Sequence, residues 1–245
     1  MKINKMASAL ALAGGLLSGA AQASLVDRGG GMLYDDVLNV TWLQDANYAK
    51  TSGYDADGAM TWNAAKSWAA GLIYGGFSDW RLPTAKPVNG VSFNFQFTDG
   101  GETDWSSNIL SPASELSYMY YVNLGLIGAY RISGGVNENF GVTGTGWNMG
   151  WGQQADIGLV RNLQNDGYFT NIGFDTNVVL FNAAMGIQVF QDLRDANYFR
   201  AWAVHDGDVV ATVPEPGTLA LLGLALSCLA SSRRKRVASN LKAAA

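Results

Sequence analysis

Two apolar runs, residues 6–20 and 219–230, close the chain at its ends, and neither has the polar–apolar spacing of a helix packed by one face. They confine any folded core to the stretch between them. Lys2 and Lys5 precede the first run, which ends on Ala21-Gln22-Ala23 before Ser24, the three-part pattern of a secretory signal peptide. The second run would span about 18 Å as a helix, short of the ~30 Å hydrocarbon core. It is followed by Arg233, Arg234, Lys235 and Arg236, which the positive-inside rule keeps cytoplasmic. A transient contact with the inner membrane is the expectation; a retained anchor in a locally thinned bilayer is the alternative. Ahead of it, Val213-Pro214-Glu215-Pro216 cannot continue a helix and should be extended and open to proteolysis.

The remaining residues, 24–212, suffice for one domain with its own core. Seven of the sixteen Lys and Arg residues lie in the ends, so the domain keeps nine basic residues against nineteen acidic ones. A net charge near −10 excludes nucleic acid as the expected partner. Cys228, the only cysteine, lies in the tail, so the domain has neither a disulfide nor a thiol nucleophile.

Within the domain, Leu38, Val40 and Trp42 alternate with polar residues and predict a strand with one buried face. A helix is predicted after Thr61 as N-cap, with Trp62, Ala65, Ala69 and Leu72 on one side and Gly71 near its end. Phe93, Phe95 and Phe97 predict a second strand, and Ser111-Pro112 a second helix start. Seven glycines between positions 134 and 152 predict a long loop. Late strands are expected at 178–181, 186–190 and 201–204, with a hairpin at Asp206-Gly207. The order of elements indicates an α+β domain rather than βαβ repeats. The hexamers at 43–48 and 193–198 agree at five of six positions, which reads as chance reuse of a turn.

Reactive residue types are scarce. His205 is the only histidine, so histidine metal clusters are ruled out, and no nucleophile-elbow sequence accompanies it. Nineteen carboxylates leave a glycosidase pair conceivable. Asp79-Trp80-Arg81 reads as a packed tryptophan between bracing charges, with a ligand contact through Asp79 and Arg81 as the other reading. Asp45, Asn47, Asp55 and Asp57 are the candidate calcium ligands: solvated turns come first, an irregular calcium site second, and the missing Glu after Gly58 rejects an EF-hand. Of eight tryptophans, Trp147 and Trp151 stand among glycines and are the expected exposed pair, suited to stacking on sugars.

The tail from Val213 to Arg236 closely resembles the PEP-CTERM sorting signal. This resemblance implies an exosortase that removes the tail near Pro214-Glu215-Pro216, and an association with extracellular polysaccharide. The domain resembles the Lcl C-terminal-like family through Gly30-Gly31-Met32-Leu33-Tyr34-Asp35, Asn39-Val40-Thr41-Trp42, Trp62, Trp68, the string from Gly76 through Asp79-Trp80-Arg81-Leu82-Pro83-Thr84, Glu115-Leu116 and residues 201–209. It departs from that family at Tyr168-Phe169-Thr170-Asn171, where relatives carry a Trp-Ser-Ser-like string. The resemblance implies a C-type-lectin-like fold related to the formylglycine-generating enzyme, with first and last strands paired and two helices beside twisted antiparallel sheets. The relatives' formylglycine chemistry relies on cysteines that this domain lacks.

The segments are therefore a signal peptide (1–23), the domain (24–212), a sorting signal (213–236) and a cytoplasmic remnant (237–245). The expected function is a non-catalytic envelope or matrix binding module without a resident cofactor; the rivals are an envelope hydrolase acting on glycans and a purely structural surface protein. Intact-mass measurement of the released protein should give a chain ending near Pro214; a mass that still includes Cys228 would contradict this.

Overall fold

The computed structural model describes residues 25–148, 152–192 and 198–210. The signal peptide, the tail from position 211, Trp151 and most of the second hexamer lie outside the described residues.

The chain opens with β1 (Leu25–Asp27), β2 (Met32–Asp35) and β3 (Val40–Leu43), an antiparallel meander with Leu33 opposite Trp42 and Asp35 opposite Val40. Asp35 makes the second turn: its buried Oδ1 accepts the N–H groups of Val37 and Leu38, and Asn39 closes the turn at φ 53°. Burial pushes the Asp35 carboxyl above its ordinary value against these hydrogen bonds. The predicted strand here is real but starts two residues later, because Asn39 is left-handed, and all four residues of β3 are buried.

A single turn, α1 (Tyr48–Thr51), and the short β4 (Ala59–Met60) lead into α2 (Trp62–Ala70). Its predicted ends hold: Thr61 Oγ1 accepts from the Ala64 N–H, and Gly71 caps the C-terminus. Ala65, Trp68 and Ala69 form the buried face. Trp62 ties α2 to the sheet by donating its indole N–H to the Thr170 carbonyl at 2.8 Å. A Cβ on Gly173 would lie 2.7 Å from that ring, so a larger residue opposite Trp62 would displace the indole.

The phenylalanine strand is largely absent. Only β5 (Phe97–Thr98) forms, beside β6 (Trp105–Ser107), because Asn89 and Asn94 capture following backbone N–H groups in turns that a ladder would need. The second helix also starts later than Pro112: Ser114 caps α3 (Glu115–Tyr118), which continues as a π-helical turn, Met119–Asn123. The glycine-rich loop is a series of turns as far as Asn148.

β7 (Gln154–Ile157) and β8 (Val160–Gln164) form a hairpin that the sequence reading missed. β9 (Gly167–Phe174), β10 (Asn177–Asn182) and β11 (Ile187–Asp192) follow as a meander, then β12 (Phe199–Arg200) and β13 (Val204–Asp206). The expected strand at 201–204 is shifted to β13, and no strand follows Gly207 among the described residues. Instead Gly207 donates to Asn39 and Val209 to Thr41, which takes the place of the expected hairpin.

Among the described residues three sheets result, in the orders β1-β2-β3-β13, β4-β12-β9-β10-β11-β6-β5 and β7-β8. Pairing is antiparallel apart from β12 with β9 and β5 with β6, so these residues form an α+β fold with little helix. The core fills with large rings: Trp42 and Trp202 meet at 4.7 Å, and Trp80, Tyr168, Phe169 and Phe181 are each buried. Trp80→Ala should therefore cost about 3–5 kcal/mol, read as a lowered urea midpoint; a variant that unfolds with the parent would place Trp80 outside the core.

Candidate functional site

The segment following Trp80 runs between the two larger sheets. Arg81 exchanges backbone hydrogen bonds with Val204 of β13 at 2.8 Å each way, the Pro83 carbonyl accepts from Asn171 of β9, and the Thr84 carbonyl accepts from Glu115 at the start of α3. Side chains repeat that connection. Arg81 Nη1 and Nη2 donate to the two oxygens of Glu115 at 2.8 and 2.9 Å, while Nε and Nη2 donate to Asp206 Oδ1 at 3.0 and 2.6 Å. Glu115 also accepts the Thr84 N–H at 2.7 Å and is buried. Burial works against the Arg81 charge, but the bonds to Glu115 and Asp206 outweigh it and raise its pKa above the ordinary value.

These residues floor an open groove of about 380 Å³ that also includes Asn39, Thr84 and Lys86. Asn171 Oδ1 is buried at its wall without a hydrogen-bond partner. Of the expected ligand contacts, Arg81 lies in the groove, and Asp79 is exposed in a left-handed turn at φ 63°. Trp80 is buried, and its indole N–H donates to Phe77. Trp147 is exposed and packs edge-on against Phe140 in the glycine-rich loop.

His205 does not have a triad's geometry. Its Nδ1 lies 2.7 Å from the Asp206 carbonyl, where a triad would hold a carboxylate, and its ring packs on Phe77 and Trp80. The expected calcium ligands shape turns. Asp45 Oδ1 accepts from Asn47, Asp55 Oδ1 from Asp57 and Gly58, and Asp57 Oδ1 from Ala59, a bond that is the main cause of a lowered Asp57 pKa. The Asp57 carbonyl accepts from the buried Asn47 and from Arg200, whose partner is Asp166. A guanidinium thus secures this acidic loop. No three acidic or histidine side chains converge on a metal position among the described residues.

Processing lies at the other end of the chain. Residues 212–235 match the family model of the PEP-CTERM protein-sorting motif. The chain carries a PEP-CTERM signal. The match begins and ends one residue before the expected boundaries, takes in Val213, Pro214, Glu215, Pro216, Arg233, Arg234 and Lys235, and leaves Arg236 just beyond it. The motif marks an exported protein that an exosortase processes at the membrane. No helix of the described residues is long and apolar enough to cross a membrane, and the PEP-CTERM tail lies outside them. No curated protein and no solved structure matches the chain.

Glu115→Ala removes a buried carboxylate and its three hydrogen bonds but leaves a quarter-exposed Arg81 paired with Asp206, so it should cost about 2 kcal/mol. Arg81→Lys should cost at least as much, because an ammonium lacks the planar fork and leaves the buried Glu115 underbonded. Urea unfolding at constant m-value checks both; midpoints equal to the parent's would mean that the pair is not structural.

Proposed function

We propose that the mature domain is a non-catalytic binding module of the envelope or extracellular matrix, delivered by exosortase sorting and acting on extracellular polysaccharide. The observation that carries this reading is how the reactive side chains are tied. Arg81, Glu115 and Asp206 bond one another across a seam of the fold, and His205 packs on Trp80 and Phe77. The PEP-CTERM signal supports delivery outside the cytoplasm, and an acidic domain suits a hydroxyl-rich partner better than a phosphate-rich one.

The Lcl C-terminal-like, C-type-lectin-like reading belongs to the same proposal. In its favour, β13 lies in the sheet that contains β1, and α2 packs on β9 through Trp62. The last strand pairs with β3, however, rather than with the first strand as that resemblance implied.

One observation favours the hydrolase rival. Glu115 Oε1 and Asp206 Oδ1 bond the same Arg81 nitrogen at 2.9 and 2.6 Å, so they are at most 5.5 Å apart in an open groove. Retaining glycosidases place their carboxyl groups about 5–5.5 Å apart. Here the guanidinium stands between the oxygens and engages both, where a hydrolase needs one carboxyl free to protonate the leaving group. Incubation of the secreted protein with polysaccharide should give retention and no new reducing ends. Turnover that Asp206→Asn abolishes, in a variant that melts like the parent, would establish the hydrolase.

A further inference from the structure

We propose that the aromatic rings carried by residues 93–105 and by β9 and β11 of the seven-stranded sheet form the domain's polysaccharide platform, and that its ligand is an uncharged glycan. The proposal rests on the binding-module reading and gives it a site, one that lies outside the Arg81 groove.

The platform is built from Phe93, Phe95, Phe97, Trp105, Phe174 and Phe190. Phe93 and Phe95 are nearly parallel, 17° apart, and meet Phe174 at 74° and 67°; Phe95 also rests on Phe190 with centroids 4.0 Å apart. Two residues along the chain from Phe95, Phe97 forms a second group with Trp105 at 6.0 Å and Tyr130 at 5.8 Å. Phe95, Phe97 and Trp105 are 48%, 40% and 38% exposed, so a run of rings that could have closed a core remains in contact with solvent.

The segment that carries these rings is fixed in place. Asp104, 1% exposed, accepts the N–H groups of Val88 and Asn94 on its two oxygens, and the Asn94 carbonyl accepts the Asp104 N–H. A buried carboxylate thus clamps the start of this segment to β6, and a platform held in advance loses little entropy on binding.

The chemistry between the rings decides the occupant. Residues 88–98 contain no charged side chain. Asn89 and Asn94 direct their carbonyl oxygens into local turns, which leaves their amide N–H groups, and the whole Gln96 amide, without protein partners among the described residues. Rings and unpaired amides that alternate along the sequence supply the two kinds of contact that the apolar C–H faces and hydroxyl edges of a sugar chain require. Asp99 and Asp175 lie within two residues of a ring against Arg131, and the domain as a whole carries nineteen acidic residues against nine basic ones. This acidic surround opposes an anionic polysaccharide, an anionic lipid surface and a second copy of a domain with net charge near −10, which leaves a neutral glycan.

The test is native electrophoresis of the secreted protein through gels containing hydroxyethyl cellulose, a neutral β-glucan, or polygalacturonate, an anionic one, with sedimentation velocity in parallel. The expected result is retardation by the neutral glucan alone, weakened at least tenfold by Phe95→Ser with Phe97→Ser, and by a smaller factor in Gln96→Ala, which removes an exposed amide without touching the rings. If the parent is retarded and both variants behave like it, the rings are not the site although the binding-module reading stands. A parent retarded by neither polymer overturns both. Retardation by polygalacturonate alone, or a dimer that the phenylalanine substitutions dissolve, overturns the neutral-glycan assignment in favour of an acidic polymer or a second copy.

Discussion

The bidentate bond between Arg81 and Glu115 holds together parts of the chain that no strand ladder joins. Glu115 is buried and accepts three hydrogen bonds, two from Arg81 and one from the Thr84 backbone. A carboxylate so placed is tolerable only when paired and fully bonded. Its pairing fixes the segment that follows Trp80, and that segment joins β13 in the four-stranded sheet, β9 in the seven-stranded sheet and the start of α3. The domain lacks disulfides, so this ionic clasp and the surrounding indole rings provide the cross-links that cysteines supply in many exported proteins.

On the binding-module proposal, that arrangement separates stability from recognition: the charged string most conspicuous in the sequence is occupied with the fold, whereas Phe95, Phe97 and Trp105 have surface to offer. Sorting is a third, independent function, held in the PEP-CTERM tail. The motif marks a protein that is exported and processed at the membrane.

Local chemistry made some elements legible and tertiary chemistry hid others. The ends of α2 were readable because Thr61 and Gly71 cap it through neighbouring backbone atoms. The start of α3 was not, because Ser114 is drawn into position by Gln188, 74 residues away, and by the Thr84 carbonyl acting on Glu115. The alternating phenylalanines satisfied a strand pattern, but side chains of Asn89, Asn94 and Asp104 took the backbone N–H groups that a strand would pair. Likewise the oxygens between positions 45 and 57 read first as solvated turns and second as a calcium site; they do shape turns, and Arg200, distant in sequence, donates to the Asp57 carbonyl there. The structural reading of Asp79-Trp80-Arg81 followed from Pro83, yet nothing in the sequence identified Glu115 and Asp206 as the partners of Arg81.

Native-state hydrogen exchange in Glu115→Gln against the parent tests the clasp most directly. If Glu115 fixes the seam, the amides of Arg81, Val204 and Asn171 should lose protection together, since each donates across that seam. Loss confined to Thr84 and Glu115, with Val204 and Asn171 protected as in the parent, would contradict the account and reduce the ion pair to a local contact.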